Sequence, residues 1–179
     1  MSEGESSRDL SGLVVARVGR LIATGQAAEP YVLQCSDGER VESVEVFFRE
    51  LIASGRSVAT VRSYGMDLLR WWRFLHAVDV AWDRADRVDA RDFSCWIQLT
   101  AKARQGSVVP ASAEAAATAA ASPNPVTGKP ALGAGYSPAT VAHSETVLRS
   151  FYDFHRDAGT GPLLNPFPLD LSRRSRRAH

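Results

Sequence analysis

Two stretches of this 179-residue chain set small hydroxyl residues in the same order: Ser57-Val-Ala-Thr60-Val-Arg62-Ser63-Tyr64 and Ser137-Pro138-Ala-Thr140-Val-Ala-His143-Ser144. Serine is a favoured helix N-cap, and a threonine three residues later falls in the first turn. Pro138 takes the first helical position, where its missing N–H costs nothing. An open helix N-terminus offers unpaired backbone N–H groups and a partial positive charge, so it can receive a phosphate. Small hydroxyls in that turn add hydrogen bonds without blocking approach. Beyond the first motif, Arg62, Ser63, Arg70 and Arg73 are expected opposite the apolar side of the helix. Guanidinium forks suit phosphate oxygens and guanine edges in a major groove. Beyond the second, Thr140, His143, Arg149 and Arg156 form a thinner outward set. Each motif alone is also what ordinary capping looks like, and an arginine face can simply be solvated.

The elements that must carry these residues can be read from the apolar spacing. A helix is expected over about 41–54, with Val44, Phe47, Phe48, Leu51 and Ile52 on one face and Gly55 as its stop. From Ser57 to about His76, the residues Val58, Val61, Gly65, Leu68, Trp72 and Leu75 make a single helical stripe. That helix would be about 30 Å long. Trp82 and Asp83 belong to a loop. A third helix is expected from about Asp89 to Ala103, with Phe93, Trp96, Ile97 and Thr100 on one side. A fourth runs from Ser137 to about Asp157, with Val141, Leu148, Phe151, Tyr152 and His155 inward, and ends at Gly159. Ahead of them, residues 10–40 read as irregular or as a β-hairpin, with β-branched residues over 13–22 and Tyr31–Gln34 before an Asp37-Gly38 turn. Between the third and fourth helices, 105–135 is rich in Ala, Ser, Pro and Gly and is expected to be a long mobile loop.

Composition narrows the function classes. The formal net charge is only +1, but residues 1–55 hold five Arg/Lys against nine Asp/Glu, 56–104 nine against six, and 137–179 six against four. The basic excess therefore lies in the two stretches that hold the motifs. No apolar run approaches the roughly 20 residues needed to span a bilayer, and the acidic start Met1-Ser-Glu-Gly-Glu5 is not a secretion signal. A cytoplasmic protein without membrane contact is expected. Cys35 and Cys95 suggest neither a zinc site nor a disulfide framework but two buried thiols. No cofactor or metal site is expected. Of the two adjacent tryptophans, Trp72 lies on the stripe as a core residue and Trp71 reads as half-exposed packing; stacking on bases is the other use of such rings. His76 and His155, near helix ends, read as caps or dipole partners.

The ordered set of motifs resembles the N-terminal core-binding (SAM-like) domain of tyrosine recombinases, the phage integrase family. The residues that carry the resemblance are the helix over 41–54, then Ser57, Thr60 and Tyr64 with Leu68, Leu69, Trp72, Phe74 and Leu75. They continue with Ser137-Pro-Ala-Thr140 leading into Leu148-Arg-Ser-Phe151-Tyr152-Asp-Phe154, and close with Asn165-Pro166. The resemblance implies an all-α, four- to five-helix orthogonal bundle over 41–170, a lead-in over 1–40, and a basic linker over 171–179. It implies double-stranded DNA as the partner, with Ser57, Thr60, Arg62 and Ser63 on one helix and Ser137, Thr140 and His143 on another toward the major groove. The long loop at 105–135 departs from compact members.

The same resemblance implies chemistry that the chain does not carry. Family members cleave DNA with a tyrosine nucleophile, helped by arginines, a lysine and a His-x-x-Arg motif. None of His76, His143, His155 or His179 is followed three positions on by arginine, and Tyr31, Tyr64, Tyr136 and Tyr152 all precede the place of a catalytic domain. The expectation is a DNA clamp domain truncated before its catalytic half, with no catalytic residues and no cutting or joining activity of its own. It would act on DNA with a catalytic recombinase subunit or a second copy of itself. Two other readings stand beside it. One is a non-enzymatic helical protein–protein module; the other is a helix-turn-helix regulator, which a 20-residue helix fits poorly.

Overall fold

The computed structural model describes residues 8–99 and 136–169. An antiparallel hairpin, β1 (Arg20–Gln26) and β2 (Glu29–Gln34), precedes four α-helices among the described residues. These are α1 (Glu42–Ala53), α2 (Val58–Ala77), α3 (Arg87–Leu99) and α4 (Pro138–Asp157), with a 3-10 turn at Trp82–Arg84 where a loop was expected. The mainly helical class and the hairpin lead-in are those expected.

The hairpin starts later than the β-branched run suggested. Residues 13–19 form a strap, not a strand, because Gly19 turns the chain at φ +67°. A Cβ at Gly19 would meet the Gln34 carbonyl oxygen at 2.6 Å, so this close crossing requires glycine. The strap's Val18 and Gly19 carbonyls accept hydrogen bonds from a side chain, Arg73, at 2.7 and 2.9 Å. After β2, the Asp37-Gly38 turn reverses the chain again: Cys35 N donates to Glu39 O, Glu39 N donates to Asp37 Oδ1, and Val41 N donates to Leu33 O. The hairpin is thereby bonded to the entry of α1.

In α1, Val44, Phe47, Phe48 and Leu51 are buried as one face. Its end is a Schellman pair, with Gly55 N donating to Ile52 O and Arg56 N to Leu51 O. Two residues later α2 begins, and it is the central post of the bundle, touching the hairpin, α1, α3 and α4. This position corrects two expectations. Trp71 is fully buried, its Nε1 donating to the Tyr152 hydroxyl at 3.0 Å, whereas Trp72 is only partly buried and stacks on Trp82. Val58, at the start of the supposed stripe, is 48% exposed. A helix with neighbours on several sides buries a wider arc than one stripe, and its first turn projects beyond them. Gly65 lies where Leu21 of β1 presses onto the helix; a Cβ there would sit 2.7 Å from Leu21 Cδ1.

Helix α3 starts two residues before the expected Asp89. Asp86 Oδ1 accepts from Val88 N and Asp89 N, while Asp89 Oδ2 accepts from Asp86 N at 3.0 Å, a reciprocal capping box. Arg8 reaches the buried Asp89 and Asp92 carboxylates at 2.5 and 3.3 Å and ties the chain's first described residues to α3. Phe93, Trp96 and Ile97 are buried as expected. The expected continuation to Ala103 with Thr100, the loop at 105–135 and the linker at 171–179 lie outside the described residues.

After α4, Asn165 donates to Arg149 O and Asp153 Oδ1 and accepts from Phe167 N, folding the chain back so that Phe167 enters the aromatic core against Trp71. An amide side chain can donate and accept at once, which this double role needs. His155 is buried between helices: Nε2 lies 3.0 Å from Ser43 O and Nδ1 2.8 Å from Thr160 Oγ1. A carbonyl only accepts, so Nε2 carries the proton and Nδ1 accepts from threonine. Burial holds this imidazole below its ordinary pKa, and the Ser43 carbonyl opposes the shift. The cysteines are not the two buried thiols expected: Cys35 is partly buried and Cys95 is exposed.

Candidate nucleic-acid interface

The two hydroxyl motifs fold as twins. Ser57 and Ser137 share the same backbone angles, φ −68° and ψ 153°. Ser57 Oγ accepts from Thr60 N at 3.1 Å, and Ser137 Oγ from Thr140 N at 3.2 Å. In each pair the two hydroxyl oxygens also approach, to 3.0 and 2.9 Å. The serines therefore cap their helices, and the first-turn amides that have no intrahelical acceptor stay at the helix tips.

Contacts between α2 and α4 ascend together along both chains: Ser63 with His143, Asp67 with Ser144, Trp71 with Tyr152. The first turns of α4 thus lie along the stretch of α2 from Ser63 to Arg70. In these first turns Arg56, Ser57, Arg62 and Ser63 are exposed on or next to α2, as are Pro138, Ala139 and His143 on α4; Thr60, Ser137 and Thr140 are partly covered. Neither 56–66 nor 136–144 contains an acidic residue. His143 Nε2 lies 3.3 Å from Ser63 Oγ and 3.4 Å from Asp67 Oδ2, so its ring is held between the helices with half its surface open.

Beneath this surface is a polar joint that the sequence reading missed. Asp67 is buried in α2, and its Oδ1 accepts from Ser144 Oγ of α4 at 2.6 Å and from Arg70 Nη1 at 2.6 Å. Arg70 Nη1 also lies 3.1 Å from Ser144 Oγ, and its guanidinium sits 4.6 Å above the Tyr136 ring. The Asp67–Arg70 spacing of three residues was the available signal, since such positions adjoin on a helix surface.

Of the eleven residues singled out, Ser57, Thr60, Arg62, Ser63, Ser137, Thr140 and His143 lie in the first turns of α2 and α4, and Arg156, near the far end of α4, pairs with Asp153 and Asp157. Three others are held by the protein itself, contrary to an outward arginine face. Arg70 is bound to Asp67 and Ser144, Arg73 grips the strap carbonyls, and Arg149 donates to Phe167 O at 2.9 Å and Pro168 O at 3.3 Å. The reason is that segments flanking the helices in sequence (the strap, Tyr136 and 165–168) fold over sides that a helical wheel shows as free. Arg56, exposed just before the α2 cap, was not singled out; it lies outside the periodic stretch.

Among the described residues no cluster of His, Cys, Asp and Glu could hold a metal ion, and no helix is long and apolar enough to cross a membrane. Comparison with curated proteins and with solved structures gives no match. A family model does match: residues 44–119, from the first turn of α1 through α2 and α3, correspond to the phage integrase N-terminal SAM-like domain, the same domain that the ordered motifs resemble.

Proposed function

We propose that the chain binds double-stranded DNA as the core-binding domain of a tyrosine recombinase or integrase, through the amino ends of α2 and α4. The single observation that carries this reading is the pair of identically capped helices at whose starts neither 56–66 nor 136–144 holds an acidic residue. Each tip offers amide donors and a partial positive charge to a phosphate. Arg62 and Arg56 add full charges, and Ser63 and His143 add donors between the tips. The match of 44–119 to an integrase domain supports the partner's identity, and a catalytic recombinase subunit or a second copy on DNA is the further partner proposed. Arg70 and Arg73 enter this proposal as groups that hold the surface in shape, and Arg149 as one that holds the 167–168 segment on the core. The test is Arg62→Ala in a gel-shift titration with duplex DNA. Affinity should fall about tenfold, the equivalent of about 1.4 kcal/mol, with unfolding unchanged; an unaltered affinity would remove α2 from the interface.

A further inference from the structure

We propose that the strap at residues 13–19, which lies outside the matched segment, adds a phosphate contact to this interface through Arg17, with Arg73 holding the strap in place. The inference rests on the DNA-binding reading and extends it to an element for which the matched domain provides no role.

Arg73 Nε and Nη2 donate to the carbonyls of Val18 and Gly19, so two bonds fix the backbone next to Arg17, whose side chain is exposed. Arg70 lies over the ring of Tyr136, and Tyr136 immediately precedes the Ser137 cap of α4. Arg70 and Arg73 are one turn apart on α2, so the strap held by Arg73 lies on the side of the helix that also carries Tyr136 and the approach to the α4 cap. Burial first, and then the like charges of Arg17 and Arg70, hold the Arg73 guanidinium below the ordinary arginine value.

The charges in this group are unevenly balanced. Arg70 is neutralised by Asp67. Arg73 is bonded to carbonyls, and among the described residues neither Arg73 nor Arg17 has a carboxylate partner. Guanidinium groups held together without counter-charge favour the approach of an anion, and a phosphate can accept from an exposed fork in bidentate fashion. Arg20, three residues on, is differently placed. Its Nε donates to Gln34 Oε1 at 3.2 Å, and it lines the same small recess as Ser36 and Gly38 of the turn that carries Asp37 and Glu39. It serves as an internal control.

The experiment is a fluorescence-anisotropy titration of the full chain with a mixed-sequence duplex of about 30 base pairs at several salt concentrations. Arg17→Ala should weaken binding about five- to tenfold and make the slope of log affinity against log salt shallower by about 1. Melting should be unchanged, because Arg17 is exposed, and Arg20→Ala should bind within about twofold of the natural chain. If Arg17→Ala binds like the natural chain while Arg62→Ala is weakened, the strap contact is overturned and the interface on α2 and α4 stands. An equal loss in Arg20→Ala would also overturn it, since a general field rather than a contact at Arg17 would then explain the effect. If the natural chain does not bind duplex at all, both readings fall.

Discussion

The Ser144 hydroxyl of α4 donates to the buried Asp67 carboxylate of α2 across 2.6 Å, in a joint that also holds Arg70 and borders His143. This bond spans 77 residues of sequence and fixes how the two capped helices sit against each other. A buried carboxylate left without its cation is costly. Arg70→Ala should therefore destabilise the fold by about 2–4 kcal/mol, at the low side of the usual range because Ser144 and His143 remain near Asp67. Urea unfolding of the variant measures this. A change below about 0.5 kcal/mol would mean that Arg70 is an ordinary surface residue after all.

The strap makes a second stability prediction. At Gly19 an added methyl would meet a carbonyl oxygen in a left-handed backbone conformation. Gly19→Ala should cost about 1–3 kcal/mol and loosen the strap from Arg73. Hydrogen exchange at residues 18–22 should accelerate in the variant. Unchanged exchange together with unchanged stability would show that the strap is not held as described.

His155 gives the stability a pH dependence of known sign. Its folded pKa lies below the ordinary 6.5, chiefly through burial. Above about pH 6.5 the ring is neutral in both folded and unfolded chains, so its full contribution is present. As pH falls below that, the unfolded chain takes up the proton first and stability is lost until the folded value is passed. His155→Gln, which keeps a donor for Ser43 O, should remove this component. The stability difference between natural chain and variant should shrink on acidification from pH 7 to 5; a constant difference would show that His155 is not buried in its neutral form.

Arg149→Ala separates shape from contact in the opposite way to Arg62→Ala. Arg149 holds the carbonyls of Phe167 and Pro168, and Phe167 fills part of the aromatic core. The substitution should lower the melting temperature by several degrees, for a loss of about 1–2 kcal/mol. At temperatures where the variant is fully folded, its duplex affinity should stay within about twofold. A tenfold loss of affinity with unchanged melting would place Arg149 on the DNA.

Much of this organisation can be read from local pattern. The four helices, the serine caps of α2 and α4 and the inward set of α4 all follow from apolar spacing and capping chemistry, which act within a few residues. What escapes such reading is set by segments distant in sequence. Trp71 is buried because α3 and Phe167 cover its side of α2, and Arg73 is taken up by carbonyls some 55 residues away. Asp67 looks like one more charge on a polar face until Ser144 arrives from α4. The candidate site divides along the same line: the cap residues, Arg62, Ser63 and His143 are local to the exposed helix starts, while Arg70, Arg73 and Arg149 depend on what folds over them.

The salt dependence of duplex binding tests the central claim most directly. With about five phosphates engaged by the two helix ends and their flanking cations, log affinity should fall linearly with log salt at a slope near −4 to −5. Between about 50 and 200 mM salt, that is a loss of several hundredfold. A slope near zero, or no binding to duplex at low salt, would contradict a phosphate-facing role for the amino ends of α2 and α4.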